Sequence, residues 1–226
     1  IYFQAIDGAI WAIALSELLM VLATFVFVVK DKRFFQFKLR FLIKKDYLIA
    51  IQKFSAMALL SAIIVPLTLL LIRNNITAGY SLPEAGLWEA TTKLSSFYMH
   101  FFNAGLSLYY MPKLASLQTE SEFKQELMGY FSTFVPLFLI MLLVLFFVKE
   151  WVLELIFTTE FLKIKSVLIW QFIGDFFKII TLAFGYQILV KARLKVYFFL
   201  EIAFNVSYLL LSFFWIKTQG YEGAIQ

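Results

Sequence analysis

Six apolar blocks alternate with charged intervals along the chain: Ala9–Val29, Phe54–Ile72, Leu87–Met111, Tyr130–Val148, Val167–Val190 and Val196–Ile216. Each is close to or above the ~20 residues that a helix needs to cross ~30 Å of hydrocarbon. Backbone groups in lipid must be satisfied within their own segment, and no strand-like ten-residue alternation points to a barrel. The pattern predicts an all-α, polytopic transmembrane helix bundle. Pro66 and Pro136 fall inside the second and fourth blocks, where the missing N–H sets either a fixed kink or a hinge. Gly220 and Gly223 mark a turn, and Gly223-Ala224-Ile225-Gln226 reads as the first turn of another helix.

Polar residues interrupt these blocks in register. In the third block Glu89, Lys93, Ser96, His100, Asn103 and Ser107 recur at steps of 4, 3, 4, 3 and 4. At 100° per residue they fall within roughly 80° of arc, one polar stripe on a helix otherwise made of Leu, Phe and Tyr. In the fifth block Gln171, Asp175 and Lys178 share a face, and Asp175 and Lys178 stand at i, i+3, a spacing that lets them pair. A charge inside a span costs roughly 2.5–3.5 kcal/mol on insertion scales, so these residues need a compensating role. One role is an interhelical hydrogen-bond seam, which Ser and Asn ordinarily supply. Lys and His in addition favour the wall of a polar cavity. Cations there suit an anionic ligand, with Lys93 and Lys178 the leading candidates. Trp88, Tyr98, Tyr109 and Tyr110 suit sugar faces or the headgroup boundary. His100 is either a packing residue or a proton carrier, since its pKa lies near working pH. Glu17, and Glu201 with Asn205 on the sixth block, are read first as structural, Glu201 pairing with Lys191, Arg193 or Lys195.

Composition agrees with a membrane chain. Apolar residues make up 62% and charged ones 15%, and the mean hydropathy is +0.83. There is no cysteine and a single histidine, which removes disulfides and thiolate metal sites. No Gly-rich phosphate loop and no nucleophile–base pair is visible, so the chain is not read as an enzyme, and no cofactor is expected beyond a coupling ion, H+ or Na+. The net charge of +5 is explained by loop asymmetry rather than by nucleic acid. Twelve Lys and Arg fall in the first, third and fifth loops against five on the opposite side. That makes 30–46, 112–126 and 191–195 cytoplasmic. The first block then runs outside to inside, and an odd number of spans is expected before it. Within the first loop, Phe34-Phe35-Gln36-Phe37-Lys38-Leu39-Arg40-Phe41 reads either as an interfacial helix on anionic headgroups or as a solvated basic loop.

Trp88, Lys93-Leu94-Ser95, Tyr98 and Tyr109-Tyr110-Met111-Pro112-Lys113-Leu114 resemble a segment of the Wzx-type O-antigen and enterobacterial-common-antigen flippases. The resemblance continues at Gly174-Asp175 with Lys178, at Phe184-Gly185-Tyr186, at Lys191-Ala192 and at Gly220 with Gly223-Ala224. It implies a MATE-like fold of twelve or more helices in two lobes. Residues 1–29 would then be the helix ending the first lobe, 30–51 a basic inter-lobe linker, and 52–226 the second lobe with its last helix truncated. It further implies the bacterial inner membrane, alternating access, and undecaprenyl-diphosphate-linked oligosaccharide as cargo. An O-antigen polymerase and a chain-length regulator are implied as partners. Substrate-contacting residues on this reading are Lys93, Lys178, Asp175, His100, Asn103, Glu89, Trp88 and Gln171, with Arg73 and Lys113 flanking the two mouths. Alternatives are a multidrug/cation antiporter on the same fold, which would want unpaired acids in the cavity, and a membrane-embedded glycan polymerase or ligase, which would want long external loops.

Overall fold

The computed structural model describes residues 2–30, 45–117 and 119–225. The aromatic-basic stretch 34–41 lies outside the described residues. So does most of the basic loop that contains it. Two units are distinguished and are described separately, residues 1–45 and 46–226.

The first unit carries α1, Tyr2–Lys30, a 29-residue helix. From Ile10 to Lys30 it is apolar enough to cross a membrane, and its described side chains are almost all exposed, Glu17 among them.

The second unit contains five helices: α2 (Lys45–Gly79), α3 (Leu82–Ser116), α4 (Glu120–Ile156), α5 (Leu168–Val190) and α6 (Leu194–Gln219). A 3-10 segment, Thr159–Ser166, joins α4 to α5, and a 3-10 turn, Gly220–Ala224, follows α6. No strand occurs among the described residues. Among them α1, α2, α4, α5 and the α6 region are long and apolar enough to span a bilayer. The chain is therefore a multi-pass, all-α membrane protein. α3 has the length but is the least apolar of the long helices, because its polar stripe lowers its hydropathy.

The helices overrun the apolar blocks. At 1.5 Å per residue, α2, α3 and α4 reach about 52–55 Å, well beyond the hydrocarbon layer. α3 runs on to Ser116 and α4 starts at Glu120, so most of the loop expected over 112–126 is helical. There Thr119 accepts from the Glu122 amide (3.2 Å) while the Glu122 carboxylate accepts from the Thr119 amide (3.3 Å), a capping box that starts α4. The segment between the second and third blocks likewise reduces to Tyr80–Ser81, with Ser81 capping the Glu84 amide at 3.3 Å. α2 begins at Lys45, inside the interval expected to be linker.

Contacts between helices set their directions. Ser95 and Tyr98 of α3 meet Asp175 of α5, and Ser107 meets Tyr186. The sequence offsets, 80, 77 and 79, are nearly constant, so α3 and α5 run parallel and in step. α4 runs against both. Phe102 packs edge-on to Phe134 and Phe138, Tyr110 lies 4.9 Å from Tyr130, and the buried Tyr130 hydroxyl donates to the Ile179 carbonyl at 2.8 Å. In lipid, such side-chain packing and interhelical hydrogen bonds supply what the hydrophobic effect supplies in water. α2 joins α6 where Ser61 donates to Glu201 (2.9 Å) and shares a 2.6 Å hydrogen bond with Tyr197.

The terminal turn folds back onto α6 and α3. Gly220 has φ +62, and a Cβ there would stand 2.9 Å from a Glu84 carboxylate oxygen. A Cβ on Gly223 would sit 2.5 Å from the Trp215 carbonyl group, so only glycine fits.

Candidate functional site

Two polar systems meet along α3, one buried and one exposed. The buried one centres on Asp175, which is 2% exposed. Its Oδ2 accepts from Ser95 Oγ (2.6 Å), from the Tyr98 hydroxyl and from Gln171 Nε2 (3.2 Å). Among the described residues no cation lies within salt-bridge reach of it. The carboxylate is thus held by two hydroxyl donors from α3 and one amide from its own helix, near the midpoint of α3. Phe138 and Phe172 pack on the Tyr98 ring and close the site to water. The i, i+3 pairing of Asp175 with Lys178 does not form. Asp175 turns into the α3–α5 seam and Lys178 turns outward, exposed. Gln171, half-buried, serves Asp175 rather than an open cavity wall.

The exposed system is the stripe. Lys93, Ser96, His100 and Ser107 are exposed, and Glu89 and Asn103 are half-buried. The face in contact with α4 through Tyr98 and Phe102 lies roughly opposite on the helix at 100° per residue, while Tyr110 meets α4 from a position at the edge of the stripe. At the α3 N-terminal end, Glu89 bridges two cations, Arg73 of α2 (3.6 Å) and Lys93 (3.2 Å), in the favourable order with Glu one turn before Lys. The cluster carries one net positive charge, and the Lys93 side chain remains 73% exposed. His100 Nδ1 donates to the Ser96 carbonyl (3.0 Å), leaving Nε2 as the ring's second hydrogen-bonding atom. Asn103 Oδ1 is buried with no partner.

The parallel register places Lys178 level with Met99, about six residues and hence ~9 Å along the axis from Lys93. A span-length helix therefore presents a polar stripe whose own Glu89 and Lys93 cancel; Arg73 of α2 makes that cluster cationic, and Lys178 on α5 is a further cation at mid-depth. Such a face cannot rest against lipid tails without a cost of several kcal/mol. It fits a water-filled path that accepts an anion and hydrogen-bonds hydroxyl groups.

Aromatic placement departs from expectation. Trp88, Tyr98 and Tyr110 are buried, and only Tyr109 of the four is exposed. Trp88 faces the core, so it is not placed on the stripe. Glu201 does not reach Lys191, Arg193 or Lys195 but accepts from Ser61, and Asn205 donates to the Glu201 carbonyl at 2.9 Å. Ser95 and Tyr98, the donors to Asp175, were not singled out as a pair by the sequence reading. Their i, i+3 spacing beside the stripe is the signal that reveals them. No group of His, Cys, Asp and Glu suited to a metal ion exists among the described residues.

No family model matches the chain, and no solved structure matches it. Curated relatives do. The Lipid III flippases of Escherichia coli (strain K12) and Shigella flexneri are each 25% identical over 176 residues, covering 78% of this chain and 42% of the relative. The chain is a distant relative of these flippases and the match spans less than half of their length.

Proposed function

We propose that this chain contributes one lobe of an inner-membrane translocator that carries a lipid-linked, diphosphate-bearing saccharide across the bilayer by alternating access, with no bond made or broken. The cargo is an undecaprenyl-diphosphate-linked O-antigen repeat unit. The observation that carries this reading is the stripe on α3: Lys93, Ser96 and His100 exposed, with half-buried Glu89 and Asn103 on the same face and exposed Ser107 beside Tyr186 of α5. The distant relationship to the Lipid III flippases supports the reaction class.

Each part of the face has a task in that reaction. Arg73 and Lys93 draw the diphosphate to the mouth, and Glu89, bridging the two cations, offsets part of their charge and prevents an anion from binding too tightly to leave. Lys178 receives the charge at mid-depth. Ser96, His100, Asn103 and Ser107 exchange hydrogen bonds with sugar hydroxyls in place of water. Asp175 takes no part in contacting cargo; it clamps α5 to α3 so that Lys178 keeps its depth. With the basic loops cytoplasmic, the Arg73–Glu89–Lys93 cluster faces the opposite side, where cargo is released.

Complementation tests this. The complete protein is expressed in a flippase-null strain that carries the matching O-unit biosynthesis genes, and surface polysaccharide is stained. Restored ladders, reduced at least tenfold by Lys93→Ala or Lys178→Ala at equal membrane levels, are expected. A well-inserted protein that gives no ladder but confers drug resistance would move the reading to a multidrug exporter.

A further inference from the structure

A second cationic feature lies away from the stripe. The C-terminal end of α4, the 3-10 segment Thr159–Ser166 and the start of α5 border a shallow, open cleft of about 510 Å³. Lys149, Lys163, Lys165 and Ser166 line it together with Phe146, Leu162 and Ile169. Lys165 pairs with Glu150 across the rim. Lys149 rests over the Phe146 ring at 4.1 Å, and Lys163 forms no ion pair among the described residues. The cleft keeps a surplus of two positive charges over apolar walls. α5 starts here with no side-chain cap, so the positive end of a 23-residue helix dipole adds to the field.

Its depth is fixed by two independent markers. Trp151 on α4 and Trp170 on α5 are both strongly exposed, 67% and 47%, and exposed tryptophans in spans sit at headgroup level. By the constant offset between α3 and α5, Leu168 is level with Glu89, the outer end of the stripe. The cleft also belongs to the α4 side of the bundle, and α4 packs on the face of α3 roughly opposite the stripe. A ligand seated there is off the cargo path and in contact with the surrounding lipid.

We infer that this cleft holds the phosphate of an anionic phospholipid headgroup from the surrounding bilayer, with Lys149 and Lys163 as its cations and Phe146, Leu162 and Ile169 against the upper acyl chain. Basic pockets between spans on the cytoplasmic side bind acidic lipid headgroups through such lysines, and this cleft sets the same charges over apolar walls at the opposite headgroup level. The bound lipid fills the gap between α4 and α5 at the level where the 3-10 segment replaces regular helix.

Native mass spectrometry of the complete protein, titrated with phosphatidylglycerol and with phosphatidylcholine in detergent, tests the assignment. The first phosphatidylglycerol is expected to bind at least fivefold tighter than phosphatidylcholine, the ratio that one lysine near a membrane surface supplies. Lys149→Gln with Lys163→Gln is expected to bring the ratio below twofold, whereas Lys195→Gln, at the opposite end of the bundle, leaves it unchanged. An unchanged ratio in the double variant overturns the proposal, as does an equal loss in Lys195→Gln, which would mean diffuse charge attraction. Inorganic phosphate separates the two sources of the same chemistry. If 10 mM phosphate leaves the lipid adduct intact, the lipid assignment stands; if phosphate displaces it and binds by itself, the site serves a soluble anion and the lipid assignment falls.

Discussion

Tyr98→Phe removes one oxygen from the seam between α3 and α5 and isolates the weight of the Asp175 junction. The ring stays, so its packing on Phe138 and Phe172 is retained. What is lost is a hydroxyl donated to a carboxylate that is 2% exposed and has no cation in contact among the described residues. Interhelical hydrogen bonds in membranes average about 0.6 kcal/mol and reach about 1.7 kcal/mol. An ionised acceptor roughly doubles a neutral bond. Burial removes the water that would otherwise take the donor's place, which puts the expected loss at about 1–2 kcal/mol. Asp175→Asn should lose a similar amount, because the acceptor survives without its charge. The double variant should then lose less than the sum, with a coupling energy of about 1 kcal/mol. Unfolding in mixed micelles with increasing SDS, followed by tryptophan fluorescence, reads all four corners of that cycle. A coupling energy below about 0.3 kcal/mol, or Tyr98→Phe as stable as the parent, would show that the Tyr98 hydroxyl does not hold Asp175 and would leave Ser95 as the α3 donor that fixes the depth of Lys178.

Three further outcomes follow from neighbouring geometry. Ser95→Cys and Ser96→Cys, adjacent in sequence, should differ sharply toward a membrane-impermeant thiol reagent: position 96 reacts and position 95, 5% exposed in the seam, does not; equal protection of both would make the stripe a packing surface. Gly223→Ala forces a methyl group to within 2.5 Å of the Trp215 carbonyl, and overpacking of this kind costs about 1–3 kcal/mol, visible as a lower melting temperature in detergent. Ser61→Ala breaks the shared contact with Tyr197 and Glu201 and should weaken the α2–α6 junction by about 0.6–1.7 kcal/mol in the same unfolding assay.

Spans and stripe were legible in the sequence because both are properties of single helices. Apolar length reports membrane thickness, and a 3-4-3-4 spacing reports a face whatever packs beside it. Asp175 was legible as polar and misread in its partner. The i, i+3 rule offered Lys178, but Ser95 and Tyr98 stand about 80 residues away and supply better-placed donors inside the seam, while Lys178 avoids the cost of burial by facing outward. Trp88 shows the same limit. Its type suited a sugar surface, and its side, off the stripe by 100° from Glu89, placed it in the core. Helix ends were drawn too short because hydropathy falls at the interface while the backbone continues into water. Thr119-Glu120-Ser121-Glu122 and Ser81-Leu82-Pro83-Glu84 both carry the Ser/Thr-x-x-Glu start signal, which marks the true boundaries better than hydropathy does.

The low hydropathy of α3 bears on how the protein is made. A nascent α3 reaches the insertion machinery with Glu89, Lys93 and His100 on one side and no neighbour to shield its seam. Asp175, the acceptor for Ser95 and Tyr98, is synthesised about 80 residues later, a delay of ~4–16 s at bacterial elongation rates. During that interval α3 is a polar helix in search of a partner, and retention at the lateral gate of the translocon is the expected resting place. A nascent chain arrested before Asp175 should therefore leave a cysteine at position 95 open to a water-soluble thiol reagent, and one arrested after α5 has emerged should not. Reactivity that is the same for both lengths would mean that α3 buries its seam without α5, and that the stripe imposes no order on assembly.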